Sequence, residues 1–348
     1  MTGKFKTPET MKKFRKIVLM VLIVLIASGA VFALVVQNLA DRTFDIPEPS
    51  LQASEDPQLI ARGRYLAFGP AHCASCHAPG PKVQAAMHAS TLEEYRSIVG
   101  SLDSTTPLSG GFTYSLELGK LHFPNITPDT ETGIGRYTDG QLARLLRHGV
   151  KPNGQAIFPV MEYQNISDED VIALLSFMRS QTPVRNAVPD HELTFMGKAV
   201  KAFLFRPMGP DAPPPVKSSP EQATVERGEY LANRVAQCAQ CHTRRNMTDL
   251  SFNGPRFAGG AEINESWAPD IIFVPPNLTP DPKTGHIVNW SEDQFVERFR
   301  AGTLIQGTPM DWELFARMSD TDLRAIYRYL MRLDPVENET GPTVKMAQ

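Results

Sequence analysis

A mostly α protein is expected: one membrane-spanning N-terminal helix, then two copies of a helical domain. An uncharged apolar run predicts the span. An ordered set of motifs, each occurring twice, predicts the copies. Serine- and threonine-headed stretches with helical apolar spacing predict the helices.

The apolar run is Ile17 to Val36, polar only at Ser28 and small at Gly29. Twenty such residues cross a bilayer core as a helix. Lys4, Lys6, Lys12, Lys13, Arg15 and Lys16 precede it against one acid, Glu9. Such a basic flank stays cytoplasmic, which places the rest outside. A cleaved secretory signal ending near Val31-Phe32-Ala33 is the alternative, and it exports the rest equally. The chain has 348 residues, 42% of them hydrophobic, enough for two ordinary domains. Removing the six basic and one acidic residues of the tail from a net charge of -3 leaves the exported part at -8. That argues against a nucleic-acid partner and permits docking on a basic protein surface.

The order of the repeat is preserved throughout. Arg62-Gly-Arg-Tyr65-Leu-Ala is echoed by Arg227-Gly-Glu-Tyr230-Leu-Ala, and Gly110-Gly111 by Gly259-Gly260. Asn125-Ile-Thr-Pro-Asp129 with Thr132-Gly133 is echoed by Asn277-Leu-Thr-Pro-Asp281 with Thr284-Gly285. Thr138 and Ser291 head one pair of apolar-periodic stretches, Ser167 and Ser319 another, as N-caps do. Short helices are expected over 61–67 and 227–232. The division that follows is a basic tail at 1–16, the span at 17–36, a polar tether at 37–58 and a first domain at 59–183. A connecting helix and proline-rich linker occupy 184–220, a second domain 221–336 and a frayed tail 337–348. The connecting helix either packs across both domains or belongs to the surface of the first. Few stretches alternate as strands do.

The chemistry lies in Cys73-Ala-Ser-Cys76-His77 and Cys238-Ala-Gln-Cys241-His242, which use all four cysteines. CxxCH is the attachment motif of c-type haem. Positions i, i+3 and i+4 share one helix face, so two thiols reach the vinyl groups of one porphyrin while the imidazole ligates its iron. Two covalent haem c groups are expected. A four-thiolate zinc site would need the two pairs together, although Cys73 and Cys238 lie 165 residues apart. Neither zinc nor a disulfide explains the two identically placed histidines.

Met161 and Met310 stand at nearly equal distances after Asn125 and Asn277, in loops bearing Pro159 and Pro309, just before the last helix of each copy. They are the expected distal iron ligands, opposite His77 and His242; a thioether is soft and raises the haem potential. Met87, Met247 and Met318 do not recur. Met178 and Met331 recur but suit core packing. His72, His88, His122, His148, His191 and His286 lack counterparts and read as surface or loop residues. Asn125 and Asn277 suit a tight loop held by side-chain to backbone hydrogen bonds, or one facing a haem propionate.

These motifs, from Ala61 to Leu333, resemble the class I cytochrome c modules of bacterial membrane-bound multihaem cytochromes. They are most similar to the cytochrome c subunits of periplasmic alcohol and gluconate dehydrogenases. Those subunits typically carry three CxxCH motifs, where this chain has two. The resemblance implies two tandem class I cytochrome c domains with His77 and His242 as proximal and Met161 and Met310 as distal ligands. It implies a single-pass protein of the bacterial inner membrane with its haem domains in the periplasm. Electrons would pass from a dehydrogenase subunit or a quinol-linked donor into the respiratory chain, towards an oxidase or soluble cytochrome. With both irons six-coordinate, the chain is expected to be a carrier, with no catalytic residues of its own. The alternative is a dihaem enzyme: a cytochrome c peroxidase, which needs an open iron, or a thiosulfate-oxidising cytochrome, which needs a spare cysteine ligand.

Overall fold

The computed structural model describes residues 8–246 and 251–347. Lys4, Lys6 and Met247 lie outside the described residues. The helices are α1 Pro8–Ala40, α2 Pro57–Phe68, α3 Ala74–His77, α4 Gly80–Met87, α5 Leu92–Gly100, α6 Asp139–His148, α7 Asp168–Ser180, α8 Phe195–Leu204, α9 Val225–Tyr230, α10 Ala239–His242, α11 Glu292–Arg300, α12 Trp312–Phe315 and α13 Asp320–Leu330. Two small sheets join them, β1 Thr113–Leu116, β2 Gly119–His122 and β3 Glu192–Leu193, and β4 Ile263–Glu265, β5 Ala268–Phe273 and β6 Val344–Met346. The protein is mostly helical.

Within α1, the stretch from Met11 to Ala40 holds an 18-residue window of mean hydropathy 3.0, and the helix is long and apolar enough to cross a membrane. Its apolar side chains from Ile17 to Ile26 are all exposed, whereas Val36 and Ala40 at its end are buried. The segment after it is no loose tether. The Phe44 amide donates to Gly154 O at 2.8 Å, Ala53 to Asp139 Oδ2 at 2.8 Å and Ser54 to Ser176 Oγ at 2.8 Å. Enough backbone donors find partners on the surface of α6 and α7 to strap this stretch down.

The two halves of the rest are framed alike. Helix α2 crosses α7 at Gly63, where an added Cβ would lie 1.8 Å from Ala173 O. Helix α9 crosses α13 at Gly228, where it would lie 1.9 Å from Ala325 O. The glycine of each Arg-Gly pair therefore exists to let two helix backbones touch. Its neighbour Arg62 grips Asp170 through Nε and Nη2, at 2.9 and 3.1 Å, and Arg227 grips Asp322 at 2.9 and 3.0 Å. Ser167 and Ser319 cap α7 and α13 by accepting from Asp170 N and Asp322 N. Thr138 and Ser291 form full capping boxes with Gln141 and Gln294. The expected helix starts are thus found, and α9 continues as a π-helical turn, Leu231–Val235.

Three expectations are corrected. The sheets were not anticipated, because strands such as Thr113–Leu116 and Val344–Met346 are too short to show alternation. The C-terminal tail is not frayed: β6 pairs with β5, placing Val344 opposite Phe273. The proline-rich linker is not a free spacer, since Pro215 O and Val216 O accept from Asp168 N and Glu169 N at the start of α7. Of the two placements expected for the connecting helix, α8 takes the one on the surface of the first half, against α1 and Leu118 O.

Candidate functional site

Each CxxCH segment forms one tight helical turn. His77 N donates to Cys73 O at 2.9 Å and His242 N to Cys238 O at 3.0 Å. The residue before each first cysteine, His72 or Gln237, has a left-handed backbone with φ of 36° and 52°. This turns the chain sharply into α3 and α10. The four thiols are free, and burial pushes Cys73, Cys76 and Cys238 up to about 12. At neutral pH they are protonated thiols. Among the described residues no three or more His, Cys, Asp or Glu side chains gather as metal ligands would.

Both histidines are buried, 6% and 8% exposed. His77 Nδ1 lies 2.8 Å from Pro124 O, and His242 Nδ1 3.1 Å from Pro276 O. A carbonyl can only accept, so Nδ1 carries the proton and Nε2 is left with its lone pair for a metal. Burial lowers both imidazoles, His242 to about 4, which keeps them neutral as ligation requires.

The other repeated motifs converge on these rings. Gly110 N and Gly259 N donate to His77 O and His242 O, each at 2.8 Å. Both glycines have positive φ, 69° and 71°, and a Cβ on either would collide with the proline that holds the imidazole. Asn125 and Asn277 follow those prolines. Asn125 Oδ1 accepts from Thr127 N and Oγ1, while its Nδ2 donates to Thr132 Oγ1 and Val184 O. Asn277 repeats this with Thr279, Thr284 and Val336. The asparagines are buried structural clamps that fix the carbonyl seen by each histidine.

Met161 and Met310 are half-buried and pack against the apolar core that also takes Cys73, Cys76 and Cys238. Their loops are held from the opposite half. Asp311 Oδ2, next to Met310, pairs with His72 Nδ1 at 3.0 Å. Glu162, next to Met161, accepts from Gln237 Nε2 on its backbone oxygen at 2.9 Å and from Arg245 on its carboxylate at 3.1 Å. Gln240 donates to the same carboxylate. Tyr163 ties the Met161 loop to Ala71 in its own half, and the Trp267 indole donates to Gly307 O before Met310. Sequence reasoning missed Glu162, Asp311 and His72. The signal for the acids was present, since one follows the loop methionine in both copies. Met178 and Met331 pack on the core as expected, and Met318 is fully buried.

Comparison with known proteins bears on this arrangement directly. The chain is 30% identical over 309 residues to the fructose dehydrogenase cytochrome subunit of Gluconobacter japonicus, covering 85% of this chain and 57% of that protein. It is 30% identical to the alcohol dehydrogenase (quinone) cytochrome c subunit of Gluconobacter oxydans, covering 81% and 56%. Both of these relatives are cytochrome subunits of dehydrogenases. A diheme cytochrome c-type protein of Cereibacter sphaeroides is 28% identical, covering 81% of this chain and 90% of its own length. The chain spans little more than half the length of the first two cytochrome c subunits. No protein-family model matches it. The residues present fit what a cytochrome c needs: paired free thiols on one turn, and an imidazole whose far nitrogen is free.

Proposed function

We propose that the chain is a membrane-tethered dihaem cytochrome c that carries electrons from a dehydrogenase, or a quinol-linked donor, towards the respiratory chain. The observation that carries this reading is the paired construction of His77 and His242, each on a CxxCH turn with Nδ1 bound to a proline carbonyl. Cys73 and Cys76 would hold one haem by thioether bonds and Cys238 and Cys241 the other. His77 with Met161, and His242 with Met310, would hold their irons. The two halves, 59–183 and 221–336, are two class I cytochrome c domains, and the tail after 336 docks on the second. The haem supplies reversible one-electron chemistry, while the chain fixes ligand geometry, excludes water and sets the spacing of the two sites.

The relatives named as dehydrogenase cytochrome subunits support a dehydrogenase as donor. They do not favour a peroxidase or a thiosulfate-oxidising cytochrome. The apolar stretch of α1 anchors the chain in the inner membrane, and the basic residues before it hold their end in the cytoplasm. Haem-c maturation on the outer face agrees with that topology. The test is the mass of the native polypeptide together with its ferric spectrum. Two haem masses and methionine-sulfur charge-transfer bands are expected. A mass without two added haems, or a high-spin resting iron with rapid peroxide turnover, would overturn the reading.

A further inference from the structure

Helix α8 is amphipathic in the wrong sense for a surface helix in water. Its inward side is small: Ala202 is fully buried, and a Cβ on Gly197 would lie 2.0 Å from Leu118 O. Its apolar stripe points outward. Met196, Phe203 and Leu204 follow helical spacing on one face with the half-buried Val200, and the exposed Phe195 lies at its edge. Phe195, Met196, Phe203 and Leu204 are 52%, 62%, 43% and 51% exposed. Contiguous exposed apolar surface of this kind marks an interaction site.

Its place in the molecule says what covers it. The Phe32 ring of α1 packs edge-on to Phe195 at 6.1 Å and stacks on Phe203 at 6.2 Å. Phe32 lies inside the uncharged run, four residues before its end at Val36, so about 6 Å below the top of that run. Interfacial helices bury their apolar face about 5–10 Å into the headgroup and acyl boundary, the same depth. The polar groups lie at the level expected for headgroups. Lys198 Nζ donates to Gln37 Oε1 at 3.1 Å, just past the run, and Arg42 donates to Phe205 O at 2.7 Å.

We propose that α8 is a second, monotopic membrane contact, seated with its Met196–Phe203 stripe in the outer leaflet beside α1. This rests on the reading of α1 as a transmembrane anchor. A single spanning helix leaves rotation about its axis free. A second contact removes that freedom and presents one fixed face of the haem domains to partners in the membrane. The docked segment after α1 transmits the constraint to the first half.

The test uses the full-length haem-loaded protein in nanodiscs of phosphatidylethanolamine and phosphatidylglycerol. A benzoylphenylalanine photolinker replaces Phe203, Leu25 or Val216 singly, and lipid adducts are read by mass spectrometry. Val216 is an exposed apolar residue of the linker, and Leu25 lies in mid-span. Adducts at Phe203 should approach those at Leu25 and exceed those at Val216 about tenfold. Adducts at Leu25 with Phe203 no better than Val216 would overturn the α8 contact and leave the anchor standing. Crosslinks from Phe203 to a second copy would overturn it in favour of a protein interface. Absence of adducts at Leu25 would remove the anchor, and this inference with it. If the Phe203 variant fails to acquire haem, the same comparison is made at Met196.

Discussion

The Tyr65 hydroxyl donates to Asp322 Oδ2 across the two halves of the molecule at 2.6 Å, and Tyr230 returns the contact to Asp170 at the same distance. Each aspartate is also gripped by the arginine of its own half, Arg227 or Arg62, and lies at the first turn of a helix capped by Ser319 or Ser167. Each tyrosine oxygen further accepts from the backbone amide of that serine. One motif therefore serves two purposes: its arginine closes its own half and its tyrosine closes the other. Burial first, and the aspartate charge next, push both phenols well up, so they remain donors at any working pH.

Replacing Tyr65 by Phe removes a hydrogen bond to a buried carboxylate without opening a cavity. The expected loss is about 1.5–3 kcal/mol, seen in chemical denaturation. Tyr230→Phe should cost a similar amount. Because the two contacts hold the same pair of halves, the double variant should lose the coupling between them, with unfolding splitting into two transitions. Unchanged cooperativity would show that the Met-loop clamps suffice.

The Gly228→Ala variant places a methyl where Ala325 O already stands. The helices α9 and α13 must part, at a cost of about 2–3 kcal/mol. Gly63→Ala should do the same to α2 and α7. The readout is thermal unfolding of the haem-loaded protein. A neutral result would mean that the helix crossing is looser than its geometry.

Met310→Ala should leave the haem attached through Cys238 and Cys241 and lower one potential by on the order of 100 mV. Potentiometric titration checks it, and an unchanged potential removes Met310 from the ligand set. Met161→Ala makes the equivalent statement for the first half.

Thr132 hydrogen bonds, from the backbone first and then the hydroxyl, hold Asp129 below its ordinary 3.8, and Thr284, through its hydroxyl first and then its backbone amide, holds Asp281 down. A depressed carboxylate contributes stability that is complete above its unfolded value and lost as pH falls through the folded one. Unfolding temperature should therefore drop with pH below about 4, and the paired variant Asp129→Asn with Asp281→Asn should flatten that drop. An equally steep acid limb in the variant would place the sensitivity elsewhere.

Much of this was legible in the chain order. The caps Thr138, Ser167, Ser291 and Ser319 act where they are written, because a cap needs only the next three residues. The Asn125 and Asn277 clamps and the CxxCH turns are local in the same sense. The strands, the strapped segment after α1 and the docked tail were not legible. Their partners lie far along the chain, and their own residues show no period.

The CxxCH turns with their histidines, the long apolar helix and the helix caps can be read from the residues alone, because each rests on residues within a few turns of one another. What the repeated tyrosines reach, which acids brace the methionine loops and where α8 turns its apolar face came only from the packed chain. Those contacts depend on how distant backbones pack, and a one-dimensional period carries no record of which side of a helix will be left uncovered.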